Sequence, residues 1–428
     1  MEVTINTLSD CDREMDITMT TEELQPHFED AYKKALPSIE IKGFRKGKVP
    51  LTVVKKMFGK SIEYQTVEDL TNETFRKEAE SRNLNPIGVP TITKLNFKPG
   101  EPLSFKVKFE VKPEFEIKDL SSISIEKYIH AATEEEIEKE VTRLQQINAS
   151  FEPAEKIENE NFAVTVDMQE FDEQGNIIPG NKRENLRLSL METSVEKEVK
   201  EALIGAGMNE IRDAKFEHSH GDHSHKVHLQ LTVRGIEKAI LPEANDELAK
   251  KVSNNEFSTI AELKENIKKD LNDFWKERSD RRFENDLLNE IVKQYEFAVP
   301  ESLVAGFLDA YVDDLKNRQP NKTFPRGFDE KKYRESYRGI ALWQAKWLLI
   351  KDALIAKEKI EITETDIEKT AEAEAGKLGI DKERLISYYK SSEQAAEKIK
   401  YDRLFDILKR SVKLTEVETA DYSKFTVE

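Results

Sequence analysis

The sequence predicts a multidomain α+β protein, with an N-terminal α+β domain, a small mostly-β domain and an all-helical C-terminal domain. Apolar and polar residues alternate in short runs within roughly the first 112 residues and again between about 151 and 241, as in half-buried strands. From about residue 242 the apolar spacing is helical instead. Glycine is scarce, with 16 in 428 residues, and this length suits about two to four domains.

The N-terminal domain is expected to span residues 1–112. Alternation between Met1 and Thr20 predicts a pair of strands, and Thr21 begins a helix. The remaining predicted elements are a helix from Pro50, a separate helix over 62–81, and strands at 91–95 and 103–111.

A connector over 113–150 is predicted to lead into a middle domain over 151–241. The run Thr133-Glu134-Glu135-Glu136 is a capping box, so a helix begins there and packs on the C-terminal domain through a narrow apolar stripe. The middle domain is predicted to contain a strand at 163–168, a hairpin turn at 172–176 and a half-buried strand at 227–233.

The C-terminal domain, 242–428, is predicted to be helical throughout. Ser258 or Thr259 caps a long helix, and Pro300 begins another. The later predicted features are a helix over 330–357, a capping box at Thr365-Asp366-Ile367-Glu368, and a last helix that carries Ile399 and Leu408.

Charge is distributed unevenly along the chain. The protein has 67 lysines and arginines against 84 aspartates and glutamates, a formal net charge of −17. The stretch from Ile41 to Lys60 nevertheless holds seven basic residues and no acidic one. A cationic point on an anionic body attracts a polyanion at that point while the rest of the surface repels it. Two glycines and a proline bracket this stretch, which predicts an exposed loop.

The loop sequence Gly43-Phe44-Arg45-Lys46-Gly47-Lys48-Val49-Pro50 resembles the signature loop of the trigger factor family, the bacterial chaperones of the ribosomal exit tunnel. Three further segments resemble the same family, so the similarity spans nearly the whole chain. These segments are Asn85–Pro90, Phe105–Glu114 and Val299–Val304.

The resemblance implies that the N-terminal domain binds the large ribosomal subunit, where the loop contacts a ribosomal protein and rRNA. Phe44 would be the apolar anchor of this contact, and the basic side chains would meet phosphates or carboxylates. The glycines would let the backbone approach closely. The ribosome-binding residues carried over from the motif are Gly43, Phe44, Arg45, Lys46, Gly47, Lys48 and Pro50.

The middle domain is similar to the family's peptidyl-prolyl isomerase module of the FK506-binding type, but it departs from the pattern at the pocket. Met168 stands where the family has an aromatic residue, and Val195–Val199 lacks the usual Pro-Gly-aromatic segment. Asp167 is retained. Prolyl isomerisation needs a dry aromatic pocket. We therefore expect weak or absent activity from a degenerate pocket near Asp167, Met168 and Val199, in a domain kept as an extra arm for client contact.

The C-terminal helices resemble the family's elongated two-armed cradle, which binds nascent and unfolded polypeptides without ATP. The chain has no Gly-rich phosphate loop, and we expect no cofactor. Shallow apolar patches among charges would give weak, multivalent contacts. The same aromatic residues are also compatible with a purely structural role in the arm core. The candidate client-binding residues are Phe307, Tyr311, Phe324 and Tyr333.

A histidine-rich segment in the middle domain suggests a second type of site. Alternate histidines on a strand share a face and are suited to hold Zn²⁺ or Ni²⁺. The plainer interpretation is a polar hairpin tip. The tentative ligands are His218, His220, His223 and His225.

Three other functional classes compete with the chaperone interpretation. They are a prolyl isomerase with incidental chaperoning, a metal-sensing or metal-storage protein, and a general RNA-binding protein, which the net charge of −17 disfavours. Cys11 is the only cysteine, and no apolar run approaches the ~18 residues of a membrane span, so we expect a cytoplasmic protein. The expected partners are the large ribosomal subunit and nascent chains, with a monomer or weak dimer off the ribosome.

Overall fold

The computed structural model describes residues 1–42, 44, 47–172, 175–220, 223–319, 321–325 and 327–426, with side chains for all of these except 179, 218–220, 223–225 and 377. The chain divides into two compact units. The first joins Met1–Glu126 to Phe283–Thr415, and the second joins Lys127–Arg282 to Glu416–Glu428.

Eleven strands and eleven α-helices occur along the described parts of the chain. The strands are β1 (Glu2–Thr7), β2 (Asp12–Met19), β3 (Pro86–Asn96), β4 (Leu103–Val111), β5 (Ser124–Ile129), β6 (Ser150–Pro153), β7 (Phe162–Phe171), β8 (Ile177–Ser189), β9 (Ile211–His220), β10 (His223–Ile240) and β11 (Lys413–Glu418). The helices are α1 (Thr21–Ala35), α2 (Leu51–Ser81), α3 (Glu134–Ile147), α4 (Lys197–Leu203), α5 (Asp246–Val252), α6 (Ile260–Lys293), α7 (Glu301–Asn317), α8 (Glu330–Lys357), α9 (Glu364–Leu378), α10 (Lys382–Ser391) and α11 (Glu393–Ser411).

The first unit begins with an antiparallel sheet of order β1-β2-β4-β3. Alternate residues of β2 and β4 are buried against α1 and α2, as the alternating sequence predicts. Phe75 of α2 meets Phe109 of β4 edge-on, with ring centroids 5.2 Å apart. Burial of this face fixes the register of the sheet, because a slip of one residue would expose it.

The predicted break between two helices near residue 60 is wrong, since α2 is one continuous helix. Gly59 does not end the helix but lies where α2 passes closest to Tyr32 of α1. A Cβ at position 59 would lie 3.4 Å from the Tyr32 hydroxyl oxygen. That hydroxyl donates to the Glu63 carboxylate. Helical glycine costs about 1 kcal/mol relative to alanine, and here it permits the close contact.

A second core in the first unit joins the connector to the C-terminal helices. Leu120, Ile123 and Ile125 are buried together with residues of α6, α8 and α11, among them Leu287 and Ile350. This cluster is the largest set of contiguous buried side chains among the described residues, and it makes the helical region continuous with the chain that leaves the sheet.

The sheet is also joined to α7 through the N-terminus of that helix. Pro300 precedes α7 and supplies no side-chain cap. Instead the Glu110 carboxylate of β4 accepts hydrogen bonds from the Glu301 N–H at 3.1 Å, from the Ser302 N–H at 2.8 Å and from the Ser302 hydroxyl. A carboxylate at this position satisfies unpaired N–H groups and interacts favourably with the helix dipole.

Gly88 and Cys11 complete this joint. A Cβ at position 88 would lie 2.5 Å from the Ser302 Cβ, and the Gly88 φ of +68° is in the left-handed region. The Cys11 thiol donates to the Ala298 carbonyl at 3.1 Å. Burial and the nearby Glu110 carboxylate raise the pKa of this thiol, so Cys11 is a packed structural residue rather than a nucleophile.

The second unit contains an antiparallel sheet of order β6-β10-β7-β8, with β9 on β10. Its core is formed by alternate residues of β7 and β10 with α4. The predicted multidomain α+β class is confirmed, because a mostly-β region follows the first sheet and a helical region follows it in turn. The exact domain boundaries stay a prediction.

The capping box of α3 forms as predicted, with Thr133 and Glu136 bonded reciprocally. Ile137 and Val141 then pack against α5 and α6. Glu136 makes two further contacts, accepting from the Trp275 indole N–H at 3.1 Å and lying 2.8 Å from the His130 ring. Burial alone would raise its pKa, but hydrogen bonds with the Thr133 backbone N–H, the His130 ring and the Thr133 hydroxyl outweigh burial and lower the pKa of Glu136 to about 2.

Two predictions for the C-terminal region are wrong. The cap of α9 is formed by Thr363 with Asp366, two residues before the predicted pair, and this phase turns Ile367 and Ala371 toward α10 and α11. The region is also not helical to its end, because β11 pairs with β5. The run Lys413–Glu418 contains the β-branched residues Thr415 and Val417 but shows no apolar alternation, so it needs a distant partner to become a strand. Of the described helices, none is long and apolar enough to cross a membrane.

Replacement of Gly88 with alanine should destabilise the first unit by about 2 kcal/mol or more, because a side chain is strained at this φ and also collides with Ser302. Gly100→Ala is the matched control, since Gly100 has a φ of +86° but no atom within 4 Å of an added Cβ. Urea unfolding followed by tryptophan fluorescence measures both losses. Equal losses in the two variants would show that the contact with Ser302 contributes nothing.

Glu136→Gln should destabilise the second unit by about 3 kcal/mol at neutral pH, the free energy that corresponds to lowering a carboxyl pKa from 4.5 to about 2. A depressed pKa stabilises the fold above the unfolded pKa, so the deficit should shrink as pH falls from about 4.5 to about 2. Urea unfolding over this pH range measures it. The control Glu135→Gln removes only an exposed pair with Lys139 and should change little. A pH-independent deficit would contradict this explanation.

Candidate functional site

The basic loop connects α1 to α2, and both of its ends are packed in one small apolar cluster. Ile39 and Ile41 pack there on one side, and Val49 and Val54 are buried on the other, all around Tyr32. Pro50 is extended, with φ −60° and ψ 136°, and begins α2. The two ends of the loop are therefore fixed by burial.

Phe44 is 44% exposed although it is fully apolar. Its backbone N–H donates to the Ile41 carbonyl at 3.0 Å, and Gly47 has a φ of +70°, which turns the chain back toward α2. Gly43, Arg45 and Lys46 lie outside the described residues. The described residues thus present one exposed aromatic ring at a turn, as the loop sequence predicts for its anchor.

Exposed lysines lie beside this turn in the chain and along the first half of α2. Lys42, Lys48, Lys56 and Lys60 are all exposed, and within the described part of the chain none of them forms an ion pair. The Lys55 ammonium instead lies 5.1 Å from the centroid of the Tyr32 ring. Unpaired surface cations of this kind are available to an anionic partner, and their attraction acts over a Debye length of about 8 Å at physiological salt.

The predicted isomerase residues are placed in structural roles. The Asp167 carboxylate accepts from the Asn185 N–H at 3.0 Å and pairs with Arg234 at 2.7 Å, and these two hydrogen bonds lower its pKa. Val199 is buried in the core of the second unit, and Met168 packs against the same core. Met168 and Val199 thus both contribute to the packing of one core, whereas the Asp167 carboxylate is paired with Arg234.

The histidine-rich segment forms the β9–β10 hairpin. Its register pairs His220 with His223 and His218 with His225, while the side chains of these four residues lie outside the described set. His228 is described, and its Nε2 lies 2.9 Å from the Asp213 carboxylate. Among the described residues no group of three potential metal ligands occurs. Metal binding by the hairpin stays a prediction.

Aromatic rings line the α7–α8 hairpin in a continuous row that we call the aromatic ladder. Its ring centroids are separated by 4.7 Å (Phe324–Phe328), 5.4 Å (Phe328–Tyr333), 4.4 Å (Tyr333–Tyr337) and 5.8 Å (Tyr337–Tyr311). Three of the four predicted client-binding residues belong to it. The fourth, Phe307, lies outside this row and packs on the α7–α8 core, as Tyr311 also does.

Phe328 and Tyr337 are the members of the ladder that sequence reasoning missed. The spacing of Tyr333 and Tyr337, four residues apart on one helix, was the signal that could have found the second of them. Tyr337 is 37% exposed and Phe324 is 40% exposed, and the aliphatic residues Ile340 and Leu342 nearby on α8 are 52% and 45% exposed. This hairpin thus offers apolar surface to solvent, as a binding patch does.

Comparison with known proteins supports one family. A family model described as bacterial trigger factor protein matches residues 1–144, and one described as the trigger factor C-terminus matches residues 259–409. Together these matches cover more than half of the chain.

Full-length relatives agree with these models. The trigger factor of Chloroherpeton thalassium is 30% identical over 426 residues, covering 98% of each chain, and that of Salinibacter ruber is 28% identical, covering 95% of this chain and 94% of its own. A solved structure from work on promiscuous substrate recognition by the trigger factor chaperone is 24% identical, with a TM-score of 0.49 over 96% of this chain and 99% of that one. The chain therefore belongs to the trigger factor family of chaperones.

Proposed function

We propose that this chaperone docks on the large ribosomal subunit through the loop 43–50 and holds nascent chains as they leave the tunnel. The observation that carries the proposal is the exposed Phe44 ring within a stretch, Ile41 to Lys60, that has seven cations and no carboxylate. An apolar anchor gives a site its position, and surrounding cations give it fast, salt-dependent attachment to rRNA or acidic protein.

The rest of the chain favours a single point of attachment. Its net charge of −17 opposes a broad contact with rRNA, so the basic loop should carry the ribosome contact alone. In this proposal residues 1–112 dock, 113–150 connect, 151–241 assist and 242–428 bind clients.

The aromatic ladder supports a client-binding role for the α7–α8 hairpin, with Tyr311, Phe324 and Tyr333 in contact with unfolded chains. Such binding needs no ATP, because burial of a few hundred Å² at about 25 cal/mol per Å² yields only several kcal/mol and remains reversible. A client leaves when burying its own core is worth more. Phe307, which packs on the same hairpin core as Tyr311 and is likewise only partly buried, stays a candidate client contact in this proposal.

The second unit's sheet is proposed to contact clients without isomerising them. A prolyl isomerase needs an apolar pocket that desolvates the imide. Asp167 is held by Arg234, and Val199 is part of the core, so neither is available to form that pocket.

We place the protein in the cytoplasm, where ribosomes and nascent chains are found, as a monomer or weak dimer when it is off the ribosome. Sedimentation velocity over a range of protein concentrations checks the oligomeric state. A stable higher oligomer would contradict this part of the proposal.

Replacement of Phe44, Arg45 and Lys46 with alanine should abolish co-sedimentation with vacant ribosomes, while binding of the unmodified protein should weaken steeply as salt is raised. The matched control replaces Lys369, Arg384 and Tyr388, an exposed set of the same chemical types on α9 and α10, and should bind as the unmodified protein does. Unchanged binding by the loop variant would refute the docking site.

The purified protein should not accelerate cis–trans isomerisation of a proline-containing peptide, because Asp167 and Val199 have structural roles. The peptide should relax with its uncatalysed time constant of about tens of seconds. A protease-coupled assay with an active prolyl isomerase as positive control measures this. A clear acceleration that is lost in Asp167→Asn would instead establish an active site in the second unit.

A further inference from the structure

The segment that joins α7 to α8 differs in charge from most of the protein. Residues 316–332 contain six lysines and arginines and only two carboxylates, in a chain whose net charge is −17. The same segment carries Phe324 and Phe328 of the aromatic ladder. Positive charge and exposed aromatic surface therefore coincide at one place in the first unit.

Both carboxylates in this segment have local roles. Asp329 caps α8, with its Oδ1 accepting from the Lys332 N–H at 3.1 Å. Glu330 accepts from the Arg334 guanidinium at 2.8 Å. Neither carboxylate is positioned as a counterion for the lysines of the segment, so their positive charge is not neutralised within it.

The described arginines in and directly after this segment are paired with carboxylates, whereas its described lysines form no ion pair. Arg318 pairs with Asp314 and Arg334 with Asp309, each at 2.7 Å. Among the described residues Lys322, Lys331 and Lys332 have no ion pair and are exposed. The Lys316 ammonium lies 5.7 Å from the Phe324 ring centroid. Exposed lysines without a carboxylate partner therefore lie close in sequence to Phe324, Phe328 and Tyr333, and the Lys316 ammonium lies against the Phe324 ring.

We propose that the aromatic ladder selects client segments in which apolar side chains alternate with aspartate or glutamate. This inference rests on the proposed client-binding role of the α7–α8 hairpin. The rings bury the apolar side chains, and Lys322, Lys331 and Lys332 pair with the client carboxylates. Elsewhere the acidic surface repels such segments, so this hairpin gives acidic nascent chains a place to bind.

The arrangement of the rings favours a polypeptide over a single-stranded nucleic acid. Bases bind proteins by stacking on open aromatic faces and on arginine planes. Here Phe324 and Phe328 stack on each other at 4.7 Å, Tyr333 and Tyr337 lie 4.4 Å apart, and the described arginines are engaged with carboxylates. What remains exposed is ring surface for apolar contact and lysine point charges for carboxylates.

The test uses the full chain and three fluorescent peptides with the same apolar residues but aspartate and glutamate, glutamine, or lysine at the intervening positions. Fluorescence anisotropy measures each Kd. Because an exposed ion pair contributes about a factor of two to five, the acidic peptide should bind about tenfold more tightly than the basic one at low salt. The preference should largely disappear at about 0.5 M salt.

Two variants distinguish the inferred preference for acidic segments from the proposed client-binding role of the α7–α8 hairpin. Lys322→Glu/Lys331→Glu/Lys332→Glu should abolish or reverse the preference and leave binding of the glutamine peptide unchanged. The control Lys250→Glu/Lys268→Glu/Lys269→Glu makes the same charge change at three exposed lysines of α5 and α6 and should keep the preference. Phe324→Ser/Tyr337→Ser should weaken all three peptides alike.

Each outcome has one meaning. If the ring variant weakens every peptide but the charge variant keeps the acidic preference, the selectivity inference is wrong and the client site stands. If the ring variant binds all peptides normally, the client site itself is misplaced. If the acidic peptide shows no advantage and the charge variant instead loses binding to a labelled single-stranded RNA, the hairpin is a nucleic-acid surface and the inference is overturned.

Discussion

The first unit depends most on the hydrogen bonds between the Glu110 carboxylate and the N-terminus of α7. Helix α7 begins at Pro300 without a side-chain cap of its own, and its first N–H groups are satisfied from the last strand of the N-terminal sheet. Such groups are costly to bury unpaired, so the start of α7 is tied to that strand. Gly88 and Cys11 pack beside it, and any side chain at position 88 would force the joint apart.

Both proposed binding surfaces belong to the unit that this joint holds together. The basic loop is held by the cluster around Tyr32, and the aromatic ladder lies on the hairpin that starts at the Glu110 cap. Each surface combines an exposed aromatic ring with unpaired lysines, yet the partners differ. A single ring at a turn suits one fixed contact, whereas a row of rings along two helices suits many different apolar segments.

In the second unit, the residues expected near an isomerase pocket make structural contacts. Asp167 persists at its expected strand position, but Arg234 pairs with it, and Val199 helps to fill the core. Likewise Glu136 links a capping box, a histidine and the Trp275 indole, and its low pKa reflects a structural role. The lowered pKa values of Asp167 and Glu136 thus reflect the hydrogen bonds that hold the unit together.

Features that arise from neighbouring residues could be predicted from the amino-acid sequence: the alternation of β2 and β4, the cap at Thr133, and the turn at Phe44 and Gly47. Tertiary structure decided the features that depend on distant partners. The predicted separation of two helices near residue 60 does not occur, and Gly59 there is a packing position beside Tyr32. Lys413–Glu418 becomes a strand only because β5 lies beside it. The meeting of Gly88 with Ser302, and of Tyr311 with Tyr337, brings together residues that are distant in the chain, and no local spacing encodes such encounters.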